Sequence, residues 1–284
     1  MGVPRVAVVT DSTAYLPADV VSALGITVVP LLVVIGERVG ADGVDVTPAD
    51  VAAALADHTV RVTTSRPSPQ AFATAYAELA AAGMAAIVSV HLSGDMSGTA
   101  EAARLAAQAI PELDVRVIDS RSLAMGLGFP VIAAAAAAHT GASVEDVVAA
   151  AEQRCLGTRV LVAVNTLEHL RRGGRIGTAA GLLGTALAVK PILHVRDGRL
   201  ALLEKVRTTS RATARLAELA VQESGEAPVD VAVHHLAAAD RAAELAQRLQ
   251  GELPAAGTVY CSEVGAVLGA HVGPGALGVV ISRH

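Results

Sequence analysis

The chain has 284 residues, of which 52% are hydrophobic and 17% charged; that is enough apolar material for two cores and excludes disorder as the dominant state. Lys and Arg number 22 against 27 Asp and Glu, a formal net charge of −5, so no basic excess exists to neutralise a nucleic-acid backbone. Aromatic residues make up only 2% and Trp is absent, which removes base-stacking platforms and aromatic cages.

Mean hydropathy is high, +0.51, so a membrane span has to be considered. The longest stretch without Asp, Glu, Lys or Arg runs from Ser122 to Val144. It holds Gly126, Gly128, Pro130 and His139, and its middle is alanine. Alanine is weakly apolar and no Trp or Tyr belt flanks the segment, so a packed helix is expected there. The N-terminus shows no charged-then-apolar leader pattern. Cys155 and Cys261 are too few and too distant for a zinc site or a disulfide framework. A reducing, cytoplasmic location is expected.

In chain order, Arg5–Val9 reads as a strand followed by the polar turn Asp11, Ser12 and Thr13. Ile26–Ile35 is β-branched and broken only by Pro30, so it reads as one strand with an irregular edge. Pro48–Ala56 is a helix with Thr47 as its cap and Pro48 at its first position. Ser68–Ala82 is a second helix, Ala86–His91 a strand and Gly98–Ala109 a helix. Val115–Ile118 is a strand, and Met125–Ala138 and Val144–Gln153 are helices. This alternation predicts a parallel sheet with helices on both faces. After residue 158 the pattern changes. Thr166–Arg172 and Gly177–Ala188 read as helices, and Pro191–Val195 and Leu200–Val206 as strands joined by a hairpin turn at Asp197-Gly198. Ser210–Ser224 and Ala239–Gln250 are helices; Val229–His235, Thr258–Cys261 and Leu277–Ser282 are strands. The expected class is α/β in two domains. An N-terminal three-layer parallel-sheet domain covers 1–158, and a C-terminal α+β domain covers 159–284. They are expected to share a cleft.

Several segments have the chemistry of a binding site. His91–Thr99, HLSGDMSGT, runs from a strand through a Ser/Gly loop into a helix start. Free N–H groups and the helix dipole there favour an anion, and Ser93, Ser97 and Thr99 add hydroxyl donors. An ordinary cap by Ser97 is the alternative. Thr63–Pro69, TTSRPSP, is a second hydroxyl cluster, read as a turn ahead of a helix. Val9–Thr13 stands at a strand's carboxyl end, where Asp11 can serve a ligand or satisfy turn N–H groups. Arg171–Gly177, RRGGRIG, puts three arginines around a glycine pair, with Arg175 best placed to face a ligand or partner. Glu204 and Arg207 can form a surface pair. Gly269–Gly278, GAHVGPGALG, is glycine-dense with one histidine, His271, read as lying in a loop. There is no P-loop, no HExxH, and GDMSG has its serine one place off the nucleophile-elbow pattern. Hydroxyls, glycines and one histidine without an orienting acid suggest binding more than turnover.

Taken together, VTDSTAYLP, TSRPSP, HLSGDMSGT, VIDSRSLAMGLG, LRRGGRIG, the LLG…KPIL…DG…LEKVR run and HVGPGALG resemble the DegV family in order and spacing, from about Arg5 to Ile281. The resemblance implies a bacterial two-domain α/β protein with a lipid site between its domains. It implies an apolar tunnel for a long-chain fatty acid such as palmitate, stearate or oleate, with no metal or other cofactor and no catalysis by this chain. It further implies a fatty acid kinase catalytic subunit as partner, an acyl phosphate product used in phospholipid synthesis, and an acyltransferase at the membrane surface as a later partner. By position, Thr64, Ser65, Ser93, Ser97 and His271 would hold the carboxylate; Arg175 and Arg207 would meet the acyl phosphate or the partner. The sequence departs from the family pattern at Arg66, Gly94, Asp95 and Thr208-Thr209, and Gly94 removes one hydroxyl from the head-group loop. The rival reading makes Ser93 and His271 a nucleophile–base pair of an acyl-ester or phosphate hydrolase.

Overall fold

The computed structural model describes residues 5–57, 59–176, 189–253 and 256–284. The expected helix Gly177–Ala188 lies outside the described residues. The chain forms two compact units, 1–32 with 65–156 and 33–64 with 157–284. A division at 158 would make the first half one contiguous piece. Instead residues 33–64 leave it and belong to the second unit.

The first unit is built on a four-stranded parallel sheet. Its strands are β1 (Val6–Asp11), β2 (Thr27–Val29), β6 (Ala86–His91) and β7 (Asp114–Asp119), in the order β2-β1-β6-β7. Parallel neighbours need crossovers, here supplied by helices α1 (Ala18–Leu24), α3 (Pro69–Ala81) and α4 (Thr99–Gln108). Every residue of β6 is buried, as a strand covered on both faces requires. One face packs on α3 and α4 through Phe72, Tyr76, Ala102, Ala103 and Ala106. Helix α5 (Met125–His139) packs on β1 and β6, with Met125 to Val131 all buried. The uncharged stretch is therefore a core helix, and no helix of the described residues is long and apolar enough to cross a membrane. Helix α6 (Val144–Gly157) ends the unit.

The second unit has a six-stranded mixed sheet. It contains β8 (Thr158–Ala163), β9 (Lys190–Arg196), β10 (Arg199–Val206), β11 (Val229–His235), β12 (Ala256–Glu263) and β13 (Leu277–Arg283), in the order β10-β9-β8-β13-β11-β12. Asp197 and Gly198 both take positive φ, 50° and 77°, and join β9 to β10 with Arg196 opposite Arg199, the primed hairpin turn their sequence favours. Helices α8 (Thr209–Ser224) and α9 (Ala239–Glu252) cover alternate residues of the sheet: Leu161 and Ala163; Val229, Val231 and Val233; Leu277, Val279 and Ile281. Segment 33–64 adds a three-stranded sheet of β3 (Leu32–Ile35), β4 (Arg38–Ala41) and β5 (Val62–Ser65), with α2 (Pro48–Ala56) between β4 and β5. Helix α2 starts at a capping box of Thr47 and Asp50 and packs on α10 (Ala266–Val272). That contact draws the segment out of the N-terminal half.

Four readings change. Ile26–Ile35 is two strands in two different sheets, because Pro30 has no N–H to continue the ladder. Thr63–Ser65 is strand, part of β5, not turn. His271 stands in the last turn of α10, not in a loop. Helix α4 is capped at Gly98 without a side chain; Ser97 Oγ lies instead 2.9 Å from Thr99 Oγ1.

A buried polar chain crosses the first unit. The Tyr76 hydroxyl donates to Ser89 Oγ at 2.8 Å, Ser89 Oγ is 2.7 Å from His91 Nε2, and His91 Nδ1 is 3.0 Å from Asp11 Oδ2. With Tyr76 donating, the Ser89 proton is available to Nε2, which leaves the His91 proton on Nδ1 facing the carboxylate. Asp11 also accepts from Leu92 N at 3.0 Å, Thr13 N at 3.1 Å and Thr13 Oγ1 at 2.5 Å. Removing the carboxylate strands several buried donors, each costing about 1–3 kcal/mol, whereas loss of the Tyr76 hydroxyl costs about 1 kcal/mol. Asp11→Ala is therefore expected to lower stability in urea melts by more than about 3 kcal/mol and Tyr76→Phe by about 1 kcal/mol; equal losses would contradict the hierarchy.

Candidate functional site

In the second unit, a cavity of about 580 Å³ opens where β5, α2, α10 and the short helix α7 (Glu168–Arg172) meet. Leu55, Thr59, Arg61, Thr63, Thr64, His169, Arg172, Arg175 and His271 are among the residues that line it. Strand β5 supplies Thr63 and Thr64, α10 supplies His271, and the turn after α7 supplies Arg175.

His271 Nε2 is 2.8 Å from Thr64 Oγ1. The ring keeps some exposed area but is surrounded by protein. Burial first, and the Arg175 guanidinium second, push its pKa down to about 4, so the imidazole is neutral at pH 7. Its Nδ1 has no hydrogen-bond partner among the described residues. An idle acceptor costs less than an idle N–H, so the proton belongs on Nε2, pointing at Thr64. Thr64 then has its own hydroxyl proton to give to a third group. The pair is thus a neutral donor aimed at an acceptor such as a carboxylate.

Two glycines make this possible. A Cβ added at Gly173 would collide with the His271 ring, and one added at Gly273 would collide with the His169 ring. Gly173 follows α7 and Gly273 follows α10. Each helix therefore lays a histidine over the other's terminal glycine. Arg175 Nη1 donates to Gly173 O, tying the arginine to the same turn.

The other predicted site residues are placed as follows. Ser93 belongs to the first unit, is buried just past the carboxyl end of β6, and donates its N–H to Ser122 O at 2.8 Å. Its Oγ accepts from Asp95 N at 3.3 Å. Ser97 lies in the same loop. This loop stands where strand order reverses between β1 and β6, the position at which open parallel sheets bind ligands. Gly94 N donates to Asp119 Oδ2 at 3.1 Å, and a Cβ at 94 would stand 2.8 Å from that oxygen. The missing side chain thus makes room for Asp119, and the Asp95 side chain is exposed. Ser65 is exposed, with Oγ donating to Arg66 O at 3.3 Å. The structure thus brings Thr64, His271 and Arg175 to one cavity, while Ser65, Ser93 and Ser97 belong to the other unit. Arg207 is exposed beyond β10 and does not line the cavity. Glu204 pairs with Arg215 at 2.7 and 2.8 Å, not with Arg207. With Nε2 committed to Thr64, His271 gives the hydrolase reading no support. Arg61 and Arg172 also line the cavity; the RRGGR run contains Arg172, but nothing local in the sequence marks Arg61.

Gly173→Ala changes no polar group, yet must displace His271. It is expected to weaken ligand retention as much as His271→Ala does, and calorimetry on both variants checks this; a Gly173→Ala protein that binds like wild type would sever the link.

Comparison with known proteins places this geometry. Residues 5–284 match the family described as "Uncharacterised protein, DegV family". A DegV domain-containing protein of Streptomyces coelicolor is 53% identical over 280 residues, covering 99% of both chains. The solved structure of a DegV family protein from Thermus thermophilus, described as fatty acid binding, is 34% identical with a TM-score of 0.92 and covers 99% of this chain and 100% of its own. That of the Bacillus subtilis fatty acid binding protein DegV is 33% identical with a TM-score of 0.90, at the same coverage. The chain belongs to the DegV family.

Proposed function

We propose that this chain binds a long-chain fatty acid, of the palmitate, stearate or oleate class, with its tail in an apolar tunnel. Thr64, Ser65, Ser93, Ser97 and His271 hold the carboxylate. The bound acid is presented to a fatty acid kinase catalytic subunit, which supplies the ATP chemistry; this chain performs none. Arg175 and Arg207 meet the acyl phosphate or the partner, and the product passes to an acyltransferase at the membrane surface. The setting is the bacterial cytoplasm.

One observation carries the reading: a neutral Thr64–His271 donor pair at the wall of a cavity, in a chain similar over nearly its whole length to proteins described as fatty acid binding. The energetics agree. About 14 methylenes at about 0.8 kcal/mol each give roughly 11 kcal/mol gross, from which ordering and association subtract. The tail thus supplies affinity, and the head needs orientation only. A few neutral donors do that at about 1.5–3 kcal/mol per charge-assisted bond.

Mass spectrometry of the purified, denatured protein is expected to release fatty acid at near one-to-one. A lipid-free protein that also refuses palmitate and oleate would overturn the reading. The pair Ser93→Ala with His271→Ala is expected to cut lipid retention by about tenfold or more, the loss of one good bond.

Arg207→Ala separates the two roles. Lipid retention is expected to stay within about twofold, while acyl phosphate formation with the kinase subunit falls by about tenfold. An emptied pocket in Arg207→Ala would show that the arginine belongs to lipid binding instead.

A further inference from the structure

We infer that Tyr76, Ser89 and His91 are positioning residues for the Ser93 loop: they fix which nitrogen of the buried imidazole carries the proton, and through Asp11 they set where the Ser93 hydroxyl stands. The inference rests on the assignment of Ser93 to the head group of a bound fatty acid, and adds to it three residues set back in the core. All of them lie within the first unit.

Three observations support this. The first is burial. Tyr76, Ser89, His91 and Asp11 are all fully buried. An apolar set of the same shape would fill this core without the cost of stripping four polar side chains of water. Stability alone therefore does not call for the network. The second is direction. Burial pushes the Tyr76 phenol up to about 12, so it remains a donor at neutral pH. The protons then run one way, from α3 through β6 to the Asp11 carboxylate on β1. Moving the His91 proton to Nε2 would turn the Nδ1 lone pair on Asp11 Oδ2 at 3.0 Å. It would also leave the Ser89 hydroxyl proton without its acceptor. The Phe72 ring meets the imidazole edge-on, with centroids 4.9 Å apart at 73°, so a ring flip would have to displace a core side chain.

The third is where the network ends. The Asp11 oxygen that accepts from His91 Nδ1 also accepts from Leu92 N, and Leu92 is the neighbour of Ser93. On the other side, His91 O accepts from Ser120 N at 2.9 Å and Ser93 N donates to Ser122 O at 2.8 Å. The backbone leading into Ser93 is thus pinned from β1 and from the segment after β7, and the β1 pin runs back through His91 and Ser89 to Tyr76. A binding group has to be held to within about 0.5 Å by such supporting residues to realise its hydrogen bond.

The test is a double-mutant cycle for palmitate, read by titration calorimetry on the full-length, delipidated protein. Ser89→Ala orphans both the Tyr76 hydroxyl and His91 Nε2. It is expected to weaken palmitate by about threefold, and Ser93→Ala by about fivefold. In the Ser93→Ala background, Ser89→Ala should change palmitate by less than about 1.5-fold, because the hydroxyl it positions is gone. Tyr76→Phe keeps its ring and should give a smaller loss with the same dependence on Ser93, so it decides the question even where Ser89→Ala does not fold. Ile87→Val trims the same buried face of β6 two residues before Ser89 without touching the network, and palmitate should again change by less than about 1.5-fold. The inference fails, while the fatty-acid reading stands, on any of three results: equal losses with and without the Ser93 hydroxyl, an equal loss in Ile87→Val, or no loss in either Ser89→Ala or Tyr76→Phe. If wild type takes up no palmitate, that reading falls and the inference with it.

Discussion

The Thr64–His271 contact depends on space as much as on hydrogen bonding. A neutral imidazole can be fixed beside a threonine only if the surrounding backbone lets the ring in. The chain does this with Gly173 and Gly273, each lying under a histidine from the other helix. Because α7 and α10 are short, five and seven residues, their own hydrogen-bond ladders are too small to hold them rigidly. The interlocked histidines and glycines, together with the packing of α2 on α10, supply the rigidity that the helices lack. The donor geometry at the cavity is therefore a consequence of packing between short elements, and not of any single strong bond.

The first unit fixes its Ser93 loop by another route. Its Ser93 loop leaves a fully buried strand, and the exit is fixed by Asp11, which accepts from Leu92 N and His91 Nδ1 on one oxygen and from Thr13 on the other. Four donors on one carboxylate offset the cost of burying it. The exit of β6 is thus held in place from β1, so the start of the loop inherits the rigidity of the sheet.

Much of this was legible in the sequence, for identifiable reasons. Helices with strong ends were read within a residue or two: Pro48–Ala56 has Thr47 and Pro48 at its start, and Pro69–Ala81 has Ser68 and Pro69. The Asp197-Gly198 hairpin was legible because its turn chemistry is local. What failed was non-local. Strands β4 and β5 carry no alternating apolar pattern; they are strands because β3 pairs with them. Strand β8, TRVLVA, is continuous with α6 and has no turn signal before it. Helix α10 was hidden by the glycines around His271, which read as loop residues although two of them serve close packing. Arg61 is a lone arginine in a polar stretch, and only the fold carries it to the cavity that Arg172 and Arg175 also line.

Charge gives the last link. The chain as a whole is acidic, with a net charge of −5, so a free anion approaches against the average field and long-range attraction supplies little of the affinity. The cavity inverts that sign locally, with arginines and no carboxylate among its described lining residues. Screening confines such a contrast to within about 8–10 Å in salt, so the positive field acts only on a head group already delivered to the wall. On the proposed reading the delivery is the work of the hydrocarbon tail, whose burial does not depend on charge. On that same reading the neutral His271 and the hydroxyls orient the carboxylate once the tail has brought it to the wall. On the proposed reading the work is divided: the tail supplies most of the affinity, and the neutral donor pair orients the head group and adds the remainder.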